Sequence, residues 1–140
     1  MPRTIDIDLT VTPQNKNGND VQCSISGPPE FMDGQAIKLP LSEDEYRLKF
    51  RLADGGRVKV DWDNGNPFAT KKGGGCPDKH EKDDQFHGIQ ANGDTVTVIA
   101  NGQDRKSVVH YRMNFADGSS CDPMIKNGFT GPVTDLIINQ

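Results

Sequence analysis

The chain has 140 residues, so it has room for one domain spanning residues 1–140. Only 33% of the residues are hydrophobic. Its longest apolar runs, residues 96–100 and 136–138, fall far short of the roughly 20 residues of a membrane-spanning helix. With 20 acidic and 16 basic residues, the net charge of -4 offers no basic surface to nucleic acid. We therefore expect neither a transmembrane helix nor a nucleic-acid partner.

The N-terminal third predicts short strands. Apolar residues alternate over 4–11 and again at Val21, Cys23 and Ile25, which is the period of half-buried strands. Gly27-Pro28-Pro29 then ends strand pairing, because proline donates no backbone hydrogen bond. Residues 28–44 are predicted to be a loop, with a short edge strand at 36–39.

Residues 46–52 are predicted to be a strand. Ser42 and Glu45 fit a helical capping box, but strict alternation of apolar and charged residues from Tyr46 to Leu52 favours a strand. Asp54-Gly55-Gly56 fits a hairpin turn. Residues 58–62 are therefore predicted to return antiparallel to this strand.

The second half predicts a long polar loop and three more strands. Residues 63–85 show no usable periodicity, and strands are predicted at 95–100, 107–115 and 133–138. This series indicates an all-β, antiparallel β-sandwich of about seven to eight strands, with an open barrel as the alternative. The predicted core members are the largest apolar residues of these strands: Leu48, Phe50, Trp62, Tyr111 and Phe115.

Cysteine usage and the N-terminus predict a cytoplasmic protein. The first strand begins within a few residues of Met1, without the apolar stretch of a secretory signal. Cys23, Cys76 and Cys121 are odd in number and widely spaced, so we expect three reduced thiols, with Cys23 buried as a small apolar residue.

A candidate metal site lies in the long loop. Cys76, His80 and His87 provide thiolate and imidazole ligands that suit zinc or copper. Asp83 or Asp84 can add an oxygen ligand, and either Cys23 or Cys121 can complete a tetrahedron. No Cys-x₂-Cys pair anchors the set, so a solvated surface loop is the competing interpretation, and no cofactor is assigned.

Other constellations predict turns rather than chemistry. Residues 61–66 have the oxygen density of a calcium loop, but a turn at Asn64-Gly65 explains the same residues. The lysines at 71–72 precede the glycines at 73–75, which is the wrong order for a phosphate-binding loop. No catalytic nucleophile has a supporting context, so we expect the protein not to be an enzyme.

The C-terminal region resembles a known pattern. Tyr111-Arg112-Met113-Asn114-Phe115, an Asp-Gly turn and then Cys121-Asp122-Pro123-Met124-Ile125-Lys126-Asn127 resemble the DP-EP family of small bacterial β-sandwich proteins. The same stretch is more distantly similar to inclusion-body proteins of the AidA/PixA type, but it lacks the Trp that often precedes their Asp-Pro pair. The DP-EP resemblance implies an immunoglobulin-like sandwich and supplies no active site.

Two functions follow as expectations. The first is a non-catalytic binding or self-association module, with a homo-oligomer or protein partner docking on an edge strand such as the apolar tail at 136–138. The alternative is a metal-binding protein that uses the loop site. Carbohydrate binding is a third hypothesis, based on the fold class alone.

Overall fold

The computed structural model describes residues 3–39, 44–53, 58–72, 86–101, 107–121 and 134–139. These residues form strands and one 3₁₀ turn, Pro29–Phe31, so the all-β prediction is confirmed. None of them forms a helix long and apolar enough to cross a membrane. The strands are β1 Thr4–Asn17, β2 Asp20–Ser26, β3 Met32–Asp33, β4 Gln35–Leu39, β5 Glu45–Leu52, β6 Phe68–Lys72, β7 Phe86–Asn92, β8 Thr95–Asn101, β9 Ser107–Asn114, β10 Ser120–Cys121 and β11 Thr134–Asn139.

The strands join into one mixed sheet. Hydrogen-bonded neighbours follow the order β3-β4-β11-β9-β10-β2-β1-β5-β8-β7, and β6 pairs with β9. The pairs β1–β5, β2–β10 and β4–β11 run parallel, so the sheet is mixed rather than wholly antiparallel. Its division into two immunoglobulin-like sheets stays a prediction.

The sheet curls so that distant strands face each other. The ring of Phe50 on β5 lies 5.3 Å from that of Phe68 on β6 and 5.7 Å from that of Tyr111 on β9. Strands β10, β2 and β1 separate β5 from β9 along the sheet. The contact between the rings therefore requires the sheet to fold over on itself. All five predicted core residues are buried.

The charged-apolar alternation of β5 sets its two faces. Tyr46, Leu48, Phe50 and Leu52 point into the core, and the intervening basic residues lie outside. The physical reason is the period of two residues, which sends successive side chains to opposite faces. The prediction of a strand rather than a capped helix is confirmed.

The hairpin predicted after β5 is wrong. Strand β5 pairs with β1 on one edge and β8 on the other, so neither edge is left for residues 58–62. In that segment Trp62 forms an isolated bridge with Phe115 instead. The hairpin was predicted from turn residues next to β5, whereas the edges of β5 pair with strands that are far away in sequence. The predicted turn residues 54–56 lie outside the described residues.

The long loop contains structure that the sequence analysis missed. Strand β6 occupies Phe68–Lys72, so the structureless interpretation is wrong there. Strand β7 also escaped prediction, because its register shifts between His87 and Gln90 and Gly88 has a φ of +64°. Such a bulge breaks the two-residue period on which strand prediction depends. Residues 73–85 lie outside the described residues.

Two of the three predicted thiols form a disulfide. Cys23 on β2 is bonded to Cys121 on β10, with 6.2 Å between their Cα atoms, and Cys23 is only partly buried. The parallel pairing of β2 with β10 places Cys121 opposite Val21. Val21 and Cys23 share a face because they are two residues apart, so the sulfurs meet across the ladder. The prediction of reduced thiols is wrong for this pair, and Cys76 lies outside the described residues.

The apolar tail is an interior strand rather than an edge. Strand β11 pairs with β4 on one side and with β9 on the other. Its backbone hydrogen bonds are therefore used within the sheet. Within the described sheet this segment is therefore not a free edge, and a partner on an edge strand stays a prediction.

A charged contact joins the end of β1 to the turn after β9. Lys16 Nζ lies 2.6 Å from Asp117 Oδ2, and Ser119 donates its backbone N–H to Asp117 Oδ1 at 2.9 Å. The Lys16 hydrogen bond, followed by those from the Ser119 hydroxyl and N–H, holds the pKa of Asp117 well below its usual range.

Replacing Asp117 by Asn is expected to lower the free energy of unfolding by about 1 kcal/mol at neutral pH, a value reduced by the exposure of the pair. Because the pKa of Asp117 is depressed by folding, this contribution is complete above the unfolded-state pKa of about 3.9. It is lost as the pH falls below that value. Urea titrations of wild type and variant from pH 7 to pH 3 test this expectation. A constant difference would contradict it, and Asp8→Asn on the exposed face of β1 is the control.

Candidate binding cleft

Strands β7 and β8 form a hairpin with a two-residue turn, Gly93-Asp94. Asn92 pairs with Thr95, and Gly93 has the φ of +64° that such turns require. The hairpin tip forms one wall of a cleft.

The hairpin tip is fastened to the body of the protein. The carbonyl oxygen of Asp94 accepts hydrogen bonds from the backbone N–H of Leu52, at 2.9 Å, and from Trp62 Nε1, at 2.8 Å. Trp62 is buried, and its ring lies 5.5 Å from that of Phe115. A buried indole needs a partner for its N–H, and here that partner is the turn.

The loop at residues 63–67 forms the opposite wall. Asp63 Oδ1 accepts the backbone N–H groups of Gly65, at 2.9 Å, and Asn66, at 3.3 Å. This is an Asx turn, in which the side chain of Asp63 fixes its own loop. The turn interpretation of residues 61–66 therefore accounts for the carboxylate that a calcium site would need.

Asn114 ties this loop to β9. Its backbone N–H donates to the carbonyl of Pro67 and its Nδ2 to the carbonyl of Asn66, both at 2.9 Å. Its own carbonyl accepts the N–H of Asp63 at 3.1 Å. Asn114 is completely buried. These bonds hold the loop in place, because leaving a buried polar group without its hydrogen-bond partner costs free energy.

Between the two walls lies a cleft of about 440 Å³, which we call the hairpin cleft. Residues 64–67 line one side and residues 89–92 the other. The lining carries the side-chain amides of Asn64, Asn66, Gln90 and Asn92 and no ionisable side chain. Its volume is in the range of small-molecule sites.

A second cavity, of about 420 Å³, lies at the same hairpin tip. It has a mixed lining of apolar and charged side chains: Pro13, Leu52, Ala53, Val58, Lys59, Val60, Asp61, Gly93 and Asp94. Two of its lining residues, Ala53 and Val58, adjoin the segment 54–57, which lies outside the described residues.

The predicted metal ligands are not brought together within the described residues. Cys76 and His80 lie outside them, as do Asp83 and Asp84. His87 is exposed on β7, with Nε2 3.6 Å from Glu45 Oε2. Neither Cys23 nor Cys121 is available as a thiolate, because the two form the disulfide. Among the described residues, no group of three metal-ligating side chains is present.

The amides of the hairpin cleft were not predicted as site residues. The sequence carried one usable signal, which is that Asn64-Gly65 and Asn92-Gly93 are both turn pairs. It gave no indication that the two turns meet in space. That meeting depends on Trp62, which reaches from the first turn to the second.

No family model and no curated protein match the chain. The resemblance of residues 111–127 to the DP-EP family therefore stays a prediction.

Proposed function

We propose that the protein is a non-catalytic binding module and that its ligand binds in the hairpin cleft. The observation that supports this proposal is the hydrogen bonding of both cleft walls. Trp62 holds the hairpin side and Asn114 holds the loop side, and both residues are buried. Because hydrogen bonds already fix the shape of the cleft, less free energy is lost to ordering its walls when a ligand binds.

The lining supports binding rather than catalysis. Primary amides donate and accept hydrogen bonds but do not titrate, so they cannot act as general acids or bases at neutral pH. The residues that line the hairpin cleft include no histidine, cysteine, serine or carboxylate. They can hold a ligand in position without exchanging protons with it.

The free edges of the described sheet support an edge-strand partner less well. Strand β3 has two residues, β6 has five and pairs only with β9, and β7 carries the bulge at Gly88. Short and bulged edges are the means by which proteins prevent strand addition. A homo-oligomer or protein partner on an edge strand, and metal binding through Cys76, His80 and His87, remain predictions from the sequence.

A test that requires no knowledge of the ligand is fragment mapping by NMR. Small polar fragments, charged and uncharged, are added to ¹⁵N-labelled protein, and perturbed amide signals are located in the chain. We expect the perturbations to cluster at residues 64–67 and 89–92, because fragments collect where a preformed cleft excludes water. Perturbations confined to other surfaces, or none at all, would reject the hairpin cleft as the binding site.

A further inference from the structure

We infer that the hairpin cleft binds an uncharged, polyhydroxylated ligand, that is, a neutral carbohydrate. This inference rests on the proposed function and names the ligand class for the same site. It depends on three properties of the lining: its amides, its small apolar surfaces and its lack of charge.

Three amide side chains are available to a ligand. Asn64, Gln90 and Asn92 are exposed, and within the described part of the chain none of the three forms a side-chain hydrogen bond. Each amide offers two N–H donors beside a carbonyl acceptor. A sugar hydroxyl is also donor and acceptor at once, so neighbouring hydroxyls on a ring can pair with both ends of one amide.

The lining of the cleft also includes three apolar residues. Ile89 and Ala91 are half-buried in β7, and Pro67 stands opposite them on the loop wall. The C–H faces of a sugar ring are apolar, and burying them against such side chains contributes free energy in proportion to the area covered. Gln90 and Asn92 lie on one face of β7 and Ile89 and Ala91 on the other, so the cleft offers a sugar ring more amide contact than apolar contact.

The charge of the lining favours a neutral ligand. Its residues carry no ionisable side chain. The adjacent carboxylate of Asp63 is directed at the N–H groups of its own turn. A charged ligand would lose hydration in the cleft without meeting a countercharge, which is costly.

An extended peptide is a less suitable occupant. Strand addition needs an uninterrupted row of outward backbone groups along β7. In the β7–β8 ladder the hydrogen-bonded pair at Asn92 and Thr95 leaves the backbone of Ala91 directed outward, but the register shift between His87 and Gln90 interrupts the row at once. The side chains, rather than the strand edge, are what the cleft presents.

The test is a titration of ¹⁵N-labelled protein with three neutral trisaccharides, maltotriose, cellotriose and chitotriose, alongside the anionic trigalacturonate and an uncharged Thr/Gln hexapeptide. We expect at least one neutral trisaccharide to shift the signals of residues 64–67 and 89–92 to saturation. Gln90→Met and Asn92→Leu remove an amide at nearly constant volume, and each should weaken that binding about tenfold. Gln22→Met, on the exposed part of β2, is the matched control and should leave the affinity unchanged.

The outcomes of these experiments distinguish failure of the carbohydrate inference from failure of the proposed binding module. If fragments bind in the hairpin cleft but no neutral trisaccharide does, the carbohydrate inference is wrong and the binding module stands. Tighter binding of trigalacturonate or of the peptide in the cleft would also overturn the inference. If neither fragments nor sugars bind there, both fail. Unchanged affinity in Gln90→Met and Asn92→Leu would place the sugar elsewhere and overturn the inference as well.

Discussion

Replacing both Cys23 and Cys121 by Ser is expected to lower the free energy of unfolding by about 2–4 kcal/mol. The disulfide joins residues 98 positions apart, so it restricts a large part of the unfolded chain. In the folded protein it fixes β10, which connects β2 to β9 across the sheet. For a domain of this size the loss corresponds to a fall in melting temperature on the order of 10 °C.

Urea unfolding of the double variant and of wild type, each with and without reductant, measures this contribution. Reductant should destabilise the wild type and leave the double variant unchanged. Cys76→Ser leaves the Cys23–Cys121 bond intact and is the matched control. Three alkylatable thiols in protein purified under air would show that the disulfide is not formed.

The disulfide also bears on where the protein works. Stable disulfides are usual in oxidising compartments and rare in the cytosol. The cytoplasmic location predicted from the sequence is a hypothesis that the thiol state of Cys23 and Cys121 in the producing cell can test. Free thiols at both positions in the cell would favour the cytoplasm, and a bonded pair would favour export.

Phe50→Ala is expected to cost about 3–5 kcal/mol of stability. Phe50 is completely buried and contacts the rings of both Phe68 and Tyr111, so its removal leaves a cavity where the two halves of the curled sheet meet. Since domains of this kind are stable by only about 5–15 kcal/mol, the variant should unfold at much lower urea concentration.

Two further variants on β5 test whether the loss of stability comes from the cavity left by Phe50. Phe50→Leu keeps most of the volume and should cost about 1.5 kcal/mol. Arg51→Ala changes an exposed neighbour and should stay within about 0.5 kcal/mol of wild type. If Arg51→Ala were as damaging as Phe50→Ala, the assignment of the two faces of β5 would be wrong.

The sequence predicted the strands whose one face is buried and whose other face is charged. In β5 and in the first half of β1, alternation is uninterrupted, so period and burial agree. Strand β6 could not be found in this way, because Phe68, Ala69 and Thr70 are buried on both faces. The bulge at Gly88 hid β7 for a different reason, since it shifts the period within the strand.

Neither the pairing of the strands nor the hairpin cleft could be predicted from the sequence. A turn such as 54–56 predicts a hairpin from neighbouring residues, whereas the edges of β5 are filled by β1 and β8. The disulfide and the hairpin cleft depend on the same long-range order. Cys121 meets Cys23 only because β10 runs beside β2, and residues 64–67 line one cleft with residues 89–92 only because Trp62 joins the two turns.

The interior position of β11 has a consequence for synthesis. As the chain leaves the ribosome, β4 and β9 emerge before the strand that lies between them. Until translation has passed Asn139, each of the two earlier strands keeps one unpaired edge, and such edges invite association with other nascent chains. The sheet is therefore completed only after this segment has left the exit tunnel.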